Sequence, residues 1–170
     1  MSTQSTLHHT LLTTTSTFCQ SLINPPPSQP PTSLLKTHFI PLTPRITEHG
    51  PQWATSRLPF LSKTFTGVFG CEEYFSLLSQ TLRMKLDKDA FPGLEGYVVD
   101  TEAVVGEGDM DVGRRRVVSV VGKGTFQSIR TGKEWQEEFI YRFSGFDGDG
   151  KIGHWEIWAD PLSAWVAVVE

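Results

Sequence analysis

Cysteine is scarce in this chain of 170 residues: there are two, Cys19 and Cys71. That is too few for a disulfide framework, and their separation is not a metal-site spacing. The scarcity excludes a small disulfide-stapled secreted domain and fits buried thiols of a reducing compartment. Long apolar runs are missing as well. No stretch approaches the roughly 20 residues of a membrane span, and the N-terminus lacks the basic start and apolar core of a secretory signal. Positive charge is in deficit, with 15 Lys and Arg against 19 Asp and Glu. The net charge of −4 and pI of about 5.7 count against a nucleic-acid partner, because phosphate binding needs a basic surface. A cytoplasmic protein without a membrane or nucleic-acid partner is the expectation. No Gly-rich phosphate loop precedes a helix, and no His and carboxylate share metal-ligand spacing on one element. Neither metal nor cofactor is expected. Asp147-Gly148-Asp149-Gly150 begins like a calcium loop, but Lys151 and Ile152 occupy its fifth and sixth positions and Trp158 its twelfth. It is a turn.

What the chain does have is aromatic volume: 11 Phe, 5 Trp and 3 Tyr, enough to fill the core of one domain spanning residues 1–170. Residues 1–6 are polar and expected to be flexible. Leu7, Leu11, Phe18, Cys19 and Leu22 then recur on one helical face. A Pro-rich spacer over residues 25–31 separates this helix from the rest. A short helix follows through Leu34, Leu35 and Phe39, then the stretch Pro44 to Pro51 reads as a short strand ended by a Gly50-Pro51 turn. Cys71, Tyr74, Phe75, Leu78 and Leu82 predict an amphipathic helix. Glu72 and Glu73 in its first turn and Arg83 and Lys85 near its last would complement the helix dipole. From Gly96 the chain turns to strands, with residues 106–113 as a long hairpin loop and Val166 to Val169 as an apolar tail. Helices first and a meander afterwards predict an α+β domain, a curved antiparallel sheet wrapped over N-terminal helices.

The stretch Trp135 to Asp160 contains the chemistry. Trp135, Glu137, Phe139, Tyr141 and Phe143 share one strand parity, so they line the interior, and Glu137 is a carboxylate among rings. A charge placed there must find a partner, raise its pKa or meet solvent in a cavity. His154, Glu156 and Trp158 have the opposite parity to Trp155 and Ile157. They would face outward, where Val118, Val120, Ile140, Trp158 and the Val166–Val169 tail suggest a homodimer through the outer sheet face.

Arg45 to Pro51 (RITEHGP), the helix around Glu72-Glu73-Tyr74-Phe75, and Asp149 to Trp155 (DGKIGHW) resemble the SnoaL-like group of the nuclear-transport-factor-2-like superfamily. The resemblance covers the chain from about Leu34 onward; the long Pro-rich spacer departs from the usual compact linker. It implies a cone of curved sheet over helices, and the activity of a small polyketide cyclase or related isomerase of secondary metabolism. In ketosteroid isomerase, of the same superfamily, the general base follows the first strand beside a proline. Here that position falls near His49, in Glu48-His49-Gly50-Pro51. Its oxyanion carboxyl maps near Phe139 and Glu137, while its first-helix tyrosine has no counterpart, since no Tyr precedes Tyr74. The cyclases' sheet-borne acid/base carboxylate maps to Glu137 or Asp160.

The expected function is a cofactor-independent cyclase, isomerase or dehydratase (a lyase in the last case) acting on a hydrophobic oxygenated small molecule. His49 serves as base, Glu137 or Asp160 as acid, and Trp53, Trp135, Phe139, Tyr141 and Trp155 hold the ligand. The alternative is a non-catalytic binding or interaction module on the same fold. A cavity of a few hundred cubic ångströms lined by ionisable groups favours the enzyme, and a filled cone favours the module.

Overall fold

A computed structural model describes residues 3–23, 31–103 and 116–169. Most of the spacer and the 106–113 loop lie outside the described residues; Pro31 opens the second helix, at a position where a missing N–H costs nothing. The elements run α1 (Thr3–Ile23), α2 (Pro31–His38), β1 (Arg45–His49), β2 (Thr64–Thr66), α3 (Gly67–Thr81), β3 (Leu82–Lys85), β4 (Val98–Asp100), β5 (Val117–Ser128), β6 (Glu134–Ser144), β7 (His154–Trp158) and α4 (Pro161–Ala167). Helix α1 thus already includes residues 3–6. Its apolar face carries Leu11, Phe18, Cys19 and Leu22 into the core. Thr15 is buried on the same face, its hydroxyl donating to the Leu11 carbonyl at 2.8 Å. That bond satisfies the polar group which makes threonine an awkward helix residue.

The sheet is curved and seven-stranded, in the order β2-β1-β7-β6-β5-β3, with β4 sharing the β3 edge of β5. It is mixed and not wholly antiparallel as expected: β1 and β7 pair in parallel, Glu48 opposite Ile157 and His49 opposite Trp158. Strand β1 precedes the meander in the chain and pairs with β7 on the edge away from β6. The inner face packs on α1–α3 around Phe18, whose ring meets Phe39, Phe143 and Trp155 edge-on at 5.2, 5.8 and 5.0 Å. Gly122 permits this filling, since a side chain there would stand 2.3 Å from the Phe139 ring.

Helix α3 starts at Gly67, earlier than its apolar spacing indicates. Gly67 has φ +76°, a left-handed turn out of β2 that glycine makes at no steric cost. Glu72 and Glu73 are therefore past the first turn, and Arg83 and Lys85 belong to β3, so the expected charge complement of the helix dipole is absent. The apolar tail is split: α4 ends at Ala167, with Ala164 and Ala167 turned inward and Val166 exposed, and Val168 just beyond it is buried, not on the outer sheet face. Val118 and Val120, assigned to the outer face by sequence, are 0% and 2% exposed and belong to the core. Register decides this, because Val120 lies opposite Tyr141 and Val118 opposite Phe143, both on the inner face. Among the described residues no helix is long and apolar enough to cross a membrane, and no group of three His, Cys, Asp or Glu could hold a metal ion.

Candidate active site

Between the inner face of the sheet, α3 and the start of α4 lies a cavity of about 90 Å³. Trp135, Phe139, Tyr141 and Trp155 line it, as does Glu137, together with Glu48 and Tyr74. Parity along β1 puts Ile46 and Glu48 inward, and Glu48 is 7% exposed. The Tyr74 hydroxyl, from α3, donates to Glu48 Oε2 at 2.7 Å. Burial pushes the Glu48 carboxyl up to about 7, the tyrosine bond pulls it back in part, and the charge of Glu137 adds to the rise. Burial likewise raises Tyr74, with Glu48 reinforcing it, so the phenol stays protonated as the donor.

Glu137 enters from β6 and is partly buried. Trp135 Nε1 donates to its Oε2 at 2.6 Å, and the Asp160 backbone N–H also bonds to the carboxylate. Burial raises its pKa while those two donors oppose the rise. The two carboxyls thus occupy unlike settings: Glu48 has one neutral donor and full burial, and Glu137 has two donors and a partly open position. Trp155 adds an indole N–H that is buried without a hydrogen-bond partner.

Three residues singled out in the sequence take other places. His49 borders the cavity, but its imidazole lies on the outer face: Nε2 is 3.0 Å from Glu156 Oε1, and the ring stacks on Trp158 at 4.1 Å and 6°. Neighbouring residues of a strand point to opposite faces. With Glu48 held inside by Tyr74, His49 must turn away, and the expected His49–Glu137 pair does not form. Asp160 borders the cavity while its carboxylate caps α4. Oδ1 accepts from the Leu162 and Ser163 backbone N–H groups at 3.0 and 3.1 Å, and Oδ2 from the Ser163 hydroxyl at 2.5 Å. The serine bond is the main cause of its lowered pKa, so it remains an anion and does not exchange a proton near neutrality. Asp160→Ala is therefore expected to cost about 1 kcal/mol through the lost cap, read as a lower urea midpoint; a cost near zero would show that the cap contributes nothing. Trp53, expected as a ligand wall, is 56% exposed and packs edge-on against Trp165 at 4.9 Å outside the cavity.

Sequence reasoning missed Glu48 and Tyr74. The signal was present in RITEH, where Ile46 and Glu48 share a parity, so that burying the isoleucine also buries the glutamate.

No protein-family model matches the chain, and no curated protein matches it in sequence. Solved structures do match in shape. An NTF2-like protein from Burkholderia pseudomallei superposes with TM-score 0.63 at 14% identity, over 95% of this chain and 98% of its own. The fold is that of the nuclear-transport-factor-2-like proteins. A Jannaschia protein named as a SnoaL-like polyketide cyclase matches the same cone with TM-score 0.56 at 15% identity, over 92% of each chain. TerC, co-crystallised with polyporic acid, matches with TM-score 0.59 at 15% identity, over 94% of this chain and 98% of its own. At such identities the likeness carries the cone and no particular chemistry.

Proposed function

We propose that this NTF2-like protein is a cofactor-independent enzyme that moves a proton next to a carbonyl in a hydrophobic oxygenated small molecule, as a cyclase, isomerase or dehydratase of secondary metabolism. The observation that carries the reading is the pair Glu48 and Glu137, two carboxyls of unlike environment in one aromatic cavity. Sites that need both an acid and a base set two titratable groups apart in this way. Glu137, steadied by Trp135 and by the Asp160 backbone, is the base. Glu48, kept near neutrality by burial and oriented by Tyr74, is the acid that returns the proton or bonds the carbonyl oxygen. The unpartnered Trp155 N–H leaves a donor for a ligand oxygen. The cyclase and isomerase names among the structural neighbours, and the polyporic acid bound to TerC, support an oxygenated, largely apolar ligand.

A second reading, a non-catalytic binding module, is favoured by the cavity's size. About 90 Å³ is well below the few hundred cubic ångströms of most small-molecule sites, so a ring substrate must displace part of the wall. Deuterium exchange separates the two. The protein is incubated in D₂O with a panel of cyclic enolisable ketones, and loss of the α-proton signal is followed by NMR. The enzyme reading expects exchange above the buffer rate for at least one ketone, abolished in Glu137→Gln; binding without exchange across the panel favours the module.

We also propose that the protein is cytoplasmic, with both cysteines free and buried, and a homodimer through the outer sheet face. There Val121, Ile140 and Trp158 are 51%, 46% and 39% exposed and stand opposite one another across β5, β6 and β7. A continuous apolar row of this kind on a soluble face marks an interface. Light scattering at tens of micromolar should return twice the 19.0 kDa chain mass, and Ile140→Glu should halve it. A parent chain that scatters as a monomer ends the proposal.

A further inference from the structure

We propose that the molecule this cavity takes is an organic cation, a compact carbon skeleton bearing a protonated or quaternary nitrogen, and that the site rejects carboxylates and phosphates. The inference rests on the acid–base reading above and adds to it the charge of the substrate.

The first ground is the charge of the walls. Glu48, Glu137 and Asp160 line the cavity, and no lysine or arginine does. Arg142 is committed elsewhere, to Glu156 on the opposite face of the sheet, where His49 also pairs. Carboxylates withdrawn from water without a counter-charge are costly, and they repel each other through a medium that screens poorly. A ligand bearing positive charge is the missing partner for both. An anionic ligand would add a third repulsion; the Tyr74 hydroxyl and Trp135 N–H already donate to Glu48 and Glu137, and the single neutral Trp155 N–H left over offers it no counter-charge.

The second ground is the shape of the remaining wall. Tyr74, Trp135, Phe139, Tyr141 and Trp155 surround the space, several of them edge-on to one another, as Tyr141 is to Trp155 at 4.9 Å and 82°. Ring faces carry the negative side of the aromatic quadrupole, and a box of such rings beside carboxylates is how proteins hold alkylated ammonium groups. The raised pKa of Glu48 agrees, since it marks a carboxyl waiting for a counter-charge and predicts that cation binding expels its proton.

The chemistry follows from the same deficit. Removing a C–H proton beside a neutral carbonyl leaves an enolate, which the Glu48 carboxyl in its protonated form and the Trp155 N–H would have to hold without help from a lysine or arginine. A carbon acid beside a C=N⁺ group supplies its own electron sink. Glu137 takes the proton, the C–H pair forms the new C=C bond, and the C=N π pair moves onto nitrogen. A neutral enamine and a carboxylic acid remain, with charge and electrons in balance.

The test uses the full chain and three probes of nearly one shape: tetramethylammonium, tert-butanol and pivalate, titrated by calorimetry and by side-chain NMR. At pH 8 tetramethylammonium is expected to bind at least about tenfold more tightly than tert-butanol, with pivalate weakest. The probe has no titrating proton, so a rise in its affinity between pH 5.5 and 8 reports ionisation of the protein's carboxyls. That preference should vanish in Glu48→Gln/Glu137→Gln, whose fold is checked by circular dichroism and whose tert-butanol affinity serves as the internal standard. Equal affinities for cation and alcohol in the parent chain overturn the proposal, as does stronger binding of pivalate. So does binding of no probe, or shifts confined to outer-face residues such as Trp158. Exchange into a neutral ketone without cation preference sinks this inference and leaves the acid–base reading standing; cation preference without exchange into any ketone or iminium does the reverse.

Discussion

Replacing Glu48 with glutamine is expected to stabilise the protein relative to the parent by about 3 kcal/mol more at pH 8 than at pH 4. Burial raises the folded carboxyl from its ordinary value near 4.5 to about 7, so between those values the native state binds more protons than the unfolded chain. Stability then falls as pH rises through that window. The favourable state is fully present below the unfolded value and is lost by the time pH passes the folded one. Over roughly two and a half pH units at about 1.4 kcal/mol each, the loss is on the order of 3 kcal/mol. Glutamine keeps the shape and an oxygen for the Tyr74 hydroxyl but cannot ionise, so it removes the slope. Any of its N–H donors left without an acceptor costs about 1–3 kcal/mol, an amount that does not vary with pH. The prediction therefore concerns the difference between two pH values. Urea unfolding at pH 4 and pH 8 checks it. The same gain at both would show that Glu48 ionises in the native protein as an ordinary carboxylate does, and would remove it as an acid poised near neutrality.

A rate loss of about 10²–10⁴ is expected for Glu137→Gln on any substrate the parent turns over, the usual range for deleting a positioned general base. Glutamine still offers an oxygen to Trp135 Nε1 and to the Asp160 N–H, so the cavity wall and the start of α4 should hold, and the urea midpoint should change little. A base role predicts loss in kcat with KM nearly kept, because the proton is taken in the transition state and the rings hold the substrate. Unchanged turnover would reduce Glu137 to a brace that ties β6 to α4 through the Asp160 backbone.

The interior set of β6 could be read in advance because parity is a local property: Phe139, Tyr141 and Phe143 share a face with Trp135 and Glu137 whatever the strand pairs with. The same holds for α1 and for the hydrophobic side of α3, whose spacings recur within a few turns of one helix. Local signals failed where a partner far along the chain decides the outcome. Val118 and Val120 occupy a strand whose other set includes Val121, and only the register with β6 says which set is inside. The short apolar run Val166 to Val169 fits a strand or a helix end equally by period, and the Asp160 cap, with Pro161 at the first turn, starts α4, which takes in the run as far as Ala167. Glu48 is the sharpest case. Its neighbour His49 attracts attention through its titration range, yet one of the two must face the core and the other solvent. The choice was made by a hydroxyl on α3 lying 26 positions away, and by the parallel pairing of β1 with β7 that turns His49 toward Glu156 and Trp158. The sequence by itself determined the kinds of side chain available and that carboxylates stand among rings on β6. Tertiary structure alone decided which carboxylates share a cavity, because strand facing is relative until a sheet has packed against its helices.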